Sequence, residues 1–142
     1  MLRALTQYHR DSVVRKLDGI SQDQARRELV PSGTTLLWIV KHLTMAELLW
    51  VGRRFAGRDI VLPSDVICDD DTIDSVISGY RDAWASVDRI ADASPLEECC
   101  RDVETESMVD LRWVLTHLLE ETARHAGHAD ILRELLDGST GR

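Results

Sequence analysis

The stretch Asp110-Leu-Arg-Trp-Val-Leu-Thr-His-Leu-Leu-Glu-Glu-Thr-Ala-Arg-His-Ala-Gly-His-Ala-Asp-Ile-Leu-Arg-Glu-Leu-Leu136 decides the fold. Its apolar residues Leu111, Val114, Leu115, Leu118, Leu132, Leu135 and Leu136 recur at spacings of three and four, the period of a helix with one buried face. No proline interrupts it, and Asp137-Gly138 closes it, glycine being the usual residue just past a helix end. Three further segments share this character. The first runs from about Leu2 to Leu17 and stops at Asp18-Gly19. The second runs from about Thr34 to Ala56, with Leu36, Ile39, Val40, Leu43, Ala46, Leu49 and Trp50 in helical register and Ser32, Thr34 or Thr35 as caps. The third starts after Asp69-Asp70-Asp71-Thr72, residues that suit the positive end of a helix, and carries Ile73, Val76, Ile77, Tyr80, Trp84, Val87 and Ile90. Ser21, with Gln24 three residues on, has the spacing of a capping box and predicts a short extra helix after the first.

Pro31, Pro63 and Pro95 fall between these segments, where proline is tolerated. Asp59-Ile60-Val61-Leu62 is too short for a convincing strand and reads as loop. The prediction is an all-α protein: a four-helix bundle in a single domain over residues 1–142, with long connections at Gly57–Asp71 and Ala93–Val109 that leave room for crossovers.

The chain has 142 residues, 44% apolar and 30% charged, enough to bury one core. A net charge of −8 argues against nucleic-acid binding by bulk electrostatics, which needs a basic face. The longest apolar candidate, Leu36 to Phe55, is broken by Lys41, His42, Glu47, Arg53 and Arg54 and does not read as a membrane span. Arg3, His9, Arg10 and Asp11 leave no apolar signal-peptide core, so a cytoplasmic location is expected. Cys68, Cys99 and Cys100 form no C-x-x-C and read as reduced thiols, with a reactive thiol at Cys99 or Cys100 beside Arg101 as the sharper alternative. Trp38, Trp50, Trp84 and Trp113 read as core before interface.

The chemistry concentrates in the fourth segment. At about 100° per residue, His117, Glu121, His125 and His128 fall within an arc of about 80° that also holds Val114, Leu132 and Leu135. That arc is expected to face the bundle interior, where an unpaired imidazole or carboxylate is costly and a metal ion satisfies several at once. Glu121 and His125 are four apart and project together. His42, on the margin of the second helix's apolar face, is the candidate third ligand. Two histidines and a carboxylate leave an open coordination position, the mark of a catalytic rather than a structural site. Plainer roles compete: His42 as a satisfied surface or core group, Glu121 paired with Arg124, and His117 bonded to a backbone carbonyl. The chain has no H-E-x-x-H, no duplicated E-x-x-H, no Gly-rich phosphate loop and no G-x-S-x-G.

Three stretches resemble the DinB/YfiT-like superfamily, in its actinobacterial branch of short DUF664-type, mycothiol-dependent-transferase-like proteins. They are Lys16-Leu-Asp-Gly-Ile-Ser21 with Gln24-Ala-Arg26; Pro31-Ser-Gly-Thr-Thr-Leu-Leu running on to Val40-Lys-His42-Leu; and Glu121-Thr-Ala-Arg-His-Ala-Gly-His-Ala-Asp-Ile-Leu-Arg-Glu-Leu. The resemblance implies a four-helix bundle of up-up-down-down topology and a Zn²⁺ or Ni²⁺ site. By motif it implies the His/Glu/His ligand set as His42, Glu121 and His125. His128 then stands as a catalytic, proton-moving or substrate-contacting group, because a fourth ligand would close the site. His117, four before Glu121, is placed to orient that carboxylate, and Arg124 is the candidate for a substrate carboxylate.

The implied function is metal-dependent S-transfer or isomerisation, with a mycothiol-like low-molecular-weight thiol as co-substrate and a small electrophile as acceptor. Small molecules are then the partners, with no nucleic acid or membrane, and a homodimer is an expectation from relatives. The alternative is a non-catalytic metal-binding or stress-responsive bundle.

Overall fold

A computed structural model describes residues 1–101 and 109–141. Its helices are α1 (Leu2–Arg15), a short α2 (Gln22–Ala25), α3 (Leu36–Glu47), which continues as a π-helical segment (Leu48–Phe55), α4 (Ile73–Asp92) and α5 (Leu111–Asp137). Ser21 and Gln24 cap α2 reciprocally. Thr35, Thr72 and Asp110 accept from the backbone N–H three residues on, opening α3, α4 and α5. Gly138 ends α5 in the left-handed region at φ 76°. Among the described residues the only β-type pairing is an isolated bridge between Cys99 and Asp110. Asp59–Leu62 is loop, as its brevity suggested.

Two apolar clusters fill the interior. One joins the end of α1 (Val13, Val14, Leu17), the start of α3 (Leu36–Leu43), the start of α4 (Val76, Tyr80) and the end of α5 (Ala126, Ala129, Leu132). The other joins Leu2, the π-helical Val51 and Phe55, the end of α4 (Val87, Ile90) and the start of α5 (Leu111, Val114, Leu115, Leu118). Each of the four long helices, counting the π-helical segment with α3, therefore has one end in each cluster, and the direction of each follows. The bundle is all-helical as expected, but the helices run up-down-down-up rather than up-up-down-down. The connection after α1 does not cross the bundle. It stays at one end, where Leu17 and Ala25 are buried in the first cluster and Ile20, Leu29 and Val30 pack against it. The crossover lies between α3 and α4, which run parallel. Residues 56–72 have to span roughly the 30 Å length of a 20-residue helix, well within the reach of an extended chain at about 3.3 Å per residue.

The crossing strand is tied down by basic side chains. The Arg26 guanidinium donates to the carbonyls of Cys68 (2.8 Å), Asp69 (3.2 Å) and Asp71 (2.5 Å). Lys41 Nζ on α3 donates to Val66 O at 2.6 Å and to Asp71 Oδ2 at 2.7 Å. Gly52 lets the strand turn back over the helix: a Cβ there would lie 2.9 Å from Ile60 Cδ1. The same region departs from the regular helix expected up to Ala56. Its turns are wider, with Ala56 N–H donating to Val51 O at 3.0 Å. Val51, Gly52 and Phe55 are buried, while Leu48, Leu49 and Trp50 are only partly so.

Between the two clusters lies a polar layer. Arg10 of α1 and Glu47 of α3 are 3% and 0% exposed. The guanidinium donates to both carboxylate oxygens, Nε to Oε1 at 2.8 Å and Nη2 to Oε2 at 2.6 Å, and Nη1 reaches Asp88 Oδ1 of α4 at 3.1 Å. Burial pushes the Glu47 carboxyl up, to about 7, against the pull of Arg10. Burial alone would lower the guanidinium, but Glu47 and Asp88 hold it up. Two donors on two oxygens require the carboxylate form, so the pair is ionic.

Two outcomes follow. Glu47→Ala strands a buried guanidinium and is expected to cost about 3–5 kcal/mol, whereas Arg10→Met/Glu47→Leu is expected to unfold near the wild-type temperature; chemical and thermal denaturation compare them. At the strap, burial would raise the Asp71 carboxyl, but hydrogen bonds from Lys41 and the Cys68 N–H outweigh it and hold it below the usual range. A depressed carboxyl stabilises above its unfolded pKa of 3.8, and that contribution is lost as pH falls through its lower folded value. Asp71→Asn should therefore cost about 1 kcal/mol at pH 7 and progressively less as pH falls below 3.8, read from urea midpoints across that range.

Candidate metal centre

His42 projects from α3 and Glu121 and His125 from α5, and these three bring one ligand atom each within 4.8 Å of one another. Glu121 Oε1 is 3.2 Å from His42 Nε2 and 3.2 Å from His125 Nε2. The i,i+4 spacing on α5 accounts for the second contact. The first depends on α3 and α5 packing in antiparallel directions. Two donors about 2.1 Å from one ion at a tetrahedral angle would be about 3.4 Å apart, so the observed edges suit a small divalent cation.

The proton count points the same way. His42 Nδ1 lies 3.4 Å from Asp65 Oδ2 on the crossing strand. When Nδ1–H donates there, the Nε2 of a neutral ring presents a lone pair to the Glu121 oxygen. Two acceptors 3.2 Å apart need a positive charge between them, a second ring proton or a cation. His125 Nδ1 is buried without a hydrogen-bond partner among the described residues, so that ring satisfies at most one nitrogen within the protein. Burial lowers the His125 pKa below the ordinary imidazole value despite the pull of Glu121. Burial would raise the Glu121 carboxyl, but the hydrogen bond from His42 and the charges of His125 and Arg124 hold it below the usual range. Near neutral pH, Glu121 is an anion and His125 a neutral imidazole, the forms a metal requires.

A family model described as mycothiol-S-transferase matches residues 1–138. The chain belongs to the mycothiol-S-transferase family. The match agrees with the DinB/YfiT-like resemblance read from the motifs. No curated protein matches the chain. A solved structure titled "Crystal structure of the conserved protein of locus from Enterococcus faecalis" is similar in fold. Its TM-score is 0.64 at 14% identity, covering 97% of this chain and 96% of that one.

In this mycothiol-S-transferase family member the remaining expected residues are not all at the centre. The buried stripe of α5 runs through Leu118, Thr122, His125, Ala126, Ala129 and Leu132, so the predicted arc lies on its margin. His128 is exposed, with its ring edge-on to His125 at 5.3 Å. Leu135, expected inside, is 56% exposed. A helical wheel gives an angle but no depth, and Leu135 is about 15 Å along the axis from His125. His117 makes no hydrogen bond to Glu121 among the described residues. It stacks on Trp113 (5.2 Å, 6°) and meets Trp50 at 4.4 Å. Arg124 bonds Glu121 Oε2 at 3.2 Å and Glu120 Oε1 at 3.1 Å. Of the tryptophans, Trp84 is core and Trp113 is 45% exposed. Among the described residues no disulfide joins Cys68, Cys99 or Cys100.

Sequence reasoning missed two neighbours. Trp38, one turn before His42, stacks on its ring at 4.6 Å and 17° and meets His125 at 5.9 Å; the i,i+4 spacing was a usable signal. Asp65 had none, since it lies on an aperiodic strand positioned by Lys41 and Arg26. A carboxylate behind a ligating imidazole fixes its tautomer and basicity. Asp65→Asn is therefore expected to weaken divalent-cation affinity about 10–100-fold in a chelator-competition titration, with little change in the unfolding of metal-free protein.

Proposed function

We propose that this protein is a metal-dependent transferase that joins the sulfur of mycothiol to a small electrophile, with His42, Glu121 and His125 as the metal ligands. The observation that carries this reading is the convergence of two imidazole nitrogens on one carboxylate oxygen at 3.2 Å each, with Asp65 behind the first. The family match supports the thiol. A divalent cation held by this set lowers the pKa of a thiol and supplies thiolate at neutral pH.

The chain's own residues do the rest. Asp65 accepts the Nδ1–H of His42 and turns the Nε2 lone pair toward Glu121. Trp38 covers the His42 ring and excludes water from that side. His125, held neutral by burial, offers Nε2. Arg124 holds the outer oxygen of Glu121, and as a half-exposed guanidinium it also has donors free for an anionic substrate group. His128, exposed at the rim beside His125, takes the thiol proton on an imidazole nitrogen and passes it to solvent. The set is three side chains, so a coordination position stays open to substrate.

The test is elemental analysis of untagged protein beside His42→Ala and Glu121→Ala, followed by turnover of mycothiol with a panel of electrophiles. About one equivalent of Zn or Ni in wild type, absent from both variants and accompanied by metal-dependent consumption of the electrophile, is the expected result. A wild type that stays metal-free after divalent ions are supplied would overturn the mechanism. The convergence would then be two imidazole N–H groups donating to one carboxylate.

A further inference from the structure

A recess lies beside His128, whose ring meets that of the candidate ligand His125. It is lined by Val30, Ser32 and Thr34, from the segment entering α3, and by His128, Ile131 and Leu132 of α5, and encloses about 220 Å³. Each wall is linked to the candidate centre through a neighbouring residue. Thr34 is four residues before Trp38, just outside the start of α3, and Trp38 stacks on His42; His128 meets the His125 ring edge-on at 5.3 Å. By helical rise, Ile131 and Leu132 lie about 9–10 Å along the axis from His125. Three of the six lining residues are aliphatic. Ile131 is 56% exposed, an apolar side chain left in water at the edge of the cleft.

We infer that this recess receives the apolar body of the electrophile, and that Ile131, with Val30, sets its size. The inference rests on the transferase reading and adds the substrate class to it: an electrophile with a carbonyl or amide next to the reacting carbon and a short alkyl or aryl group beyond it. Two observations decide between the two substrates. Mycothiol is a polyhydroxylated pseudo-disaccharide, and a recess whose only polar side chains are Ser32, Thr34 and His128 cannot satisfy its many hydroxyls. A recess of about 220 Å³ is also of the size of a short aliphatic or single-ring substituent rather than a disaccharide. The hydroxyls of Ser32 and Thr34, which bond each other at 2.9 Å, and the His128 ring are the polar groups the recess offers to a carbonyl or amide.

The reaction used as a probe is displacement on N-alkyl chloroacetamides. The mycothiol thiolate forms a C–S bond, the C–Cl bond breaks, and chloride leaves with the bonding pair. The thiol proton goes to solvent. From N-methyl to N-pentyl, four methylenes enter the recess, and kcat/KM is expected to rise about threefold with each, roughly 80-fold in all. Ile131→Glu should reduce that pentyl-to-methyl ratio to near unity. The ratio is read within one variant, so a general loss of activity cancels, and circular dichroism with a thermal melt checks folding. A flat series in wild type, or an unchanged slope in Ile131→Glu, overturns the assignment.

N-pentylacetamide, which cannot react, is titrated in parallel against ¹⁵N-labelled full-length protein. Amide shifts confined to residues 30–34 and 128–132 sustain the recess as a binding site even where no chloroacetamide turns over, an outcome that sinks the transferase reading alone. No shifts, or a dimer in sedimentation that Ile131→Glu dissociates, give the patch to bulk water or to a second copy of the chain and overturn the inference.

Discussion

The bidentate pair of Arg10 and Glu47 is the constraint on which the interior depends. A guanidinium and a carboxylate removed from water are tolerable only at one relative position of α1 and α3, where both oxygens and both nitrogens meet. A slip of one turn would leave two buried charges unpaired. The apolar clusters on either side impose no such condition, because aliphatic side chains accept many packings at modest cost. With α3 held by Glu47, His42 is fixed as well. The two residues are five apart, about 140° around the helix, so Glu47 points at α1 and α4 while His42 faces α5. Asp88, bonded to the same guanidinium, ties α4 into the same layer.

The candidate metal centre is built from pieces of unequal rigidity. Glu121 and His125 share one face of one helix, and their spacing is a property of the helix itself. His42 reaches them only because α3 and α5 run in opposite directions and pack side by side. Asp65 comes from an aperiodic strand held by three carbonyls on Arg26 and by Lys41 on α3. The strand has to pass there because parallel α3 and α4 demand a crossover. The π-helical end of α3 and the missing Cβ of Gly52 let it fold back over the helix at its start. Bundle topology and the orientation of a candidate ligand are thus joined through one connection.

The charged groups around the centre divide by depth. Glu121 is anionic and His125 neutral because a carboxylate surrounded by donors and an imidazole shielded from water are each pushed toward that form. His128, three residues on, projects past the edge of the bundle and keeps contact with solvent. It lies beside both the candidate centre and the recess.

By itself, the sequence determined the helices, their caps and the pairing of Glu121 with His125. These depend on neighbours within four residues, and a 3.6-residue period makes such neighbours legible. Ser21 with Gln24, Thr72, Asp110 and Gly138 were readable for the same reason. His42 was readable as a residue on the margin of an apolar face, and the family motif singled it out. Only the tertiary structure decided the up-down-down-up order, because helix direction depends on where connections travel and not on local period. It also decided that Leu135 and His128 face solvent, that His117 belongs to an aromatic stack with Trp50 and Trp113, and that Arg10 and Glu47 are partners. A wheel fixes the angle of a side chain about its own axis. Whether that angle meets protein or water depends on what stands opposite at that height, which for residues 37 or 79 positions apart is a matter of packing alone.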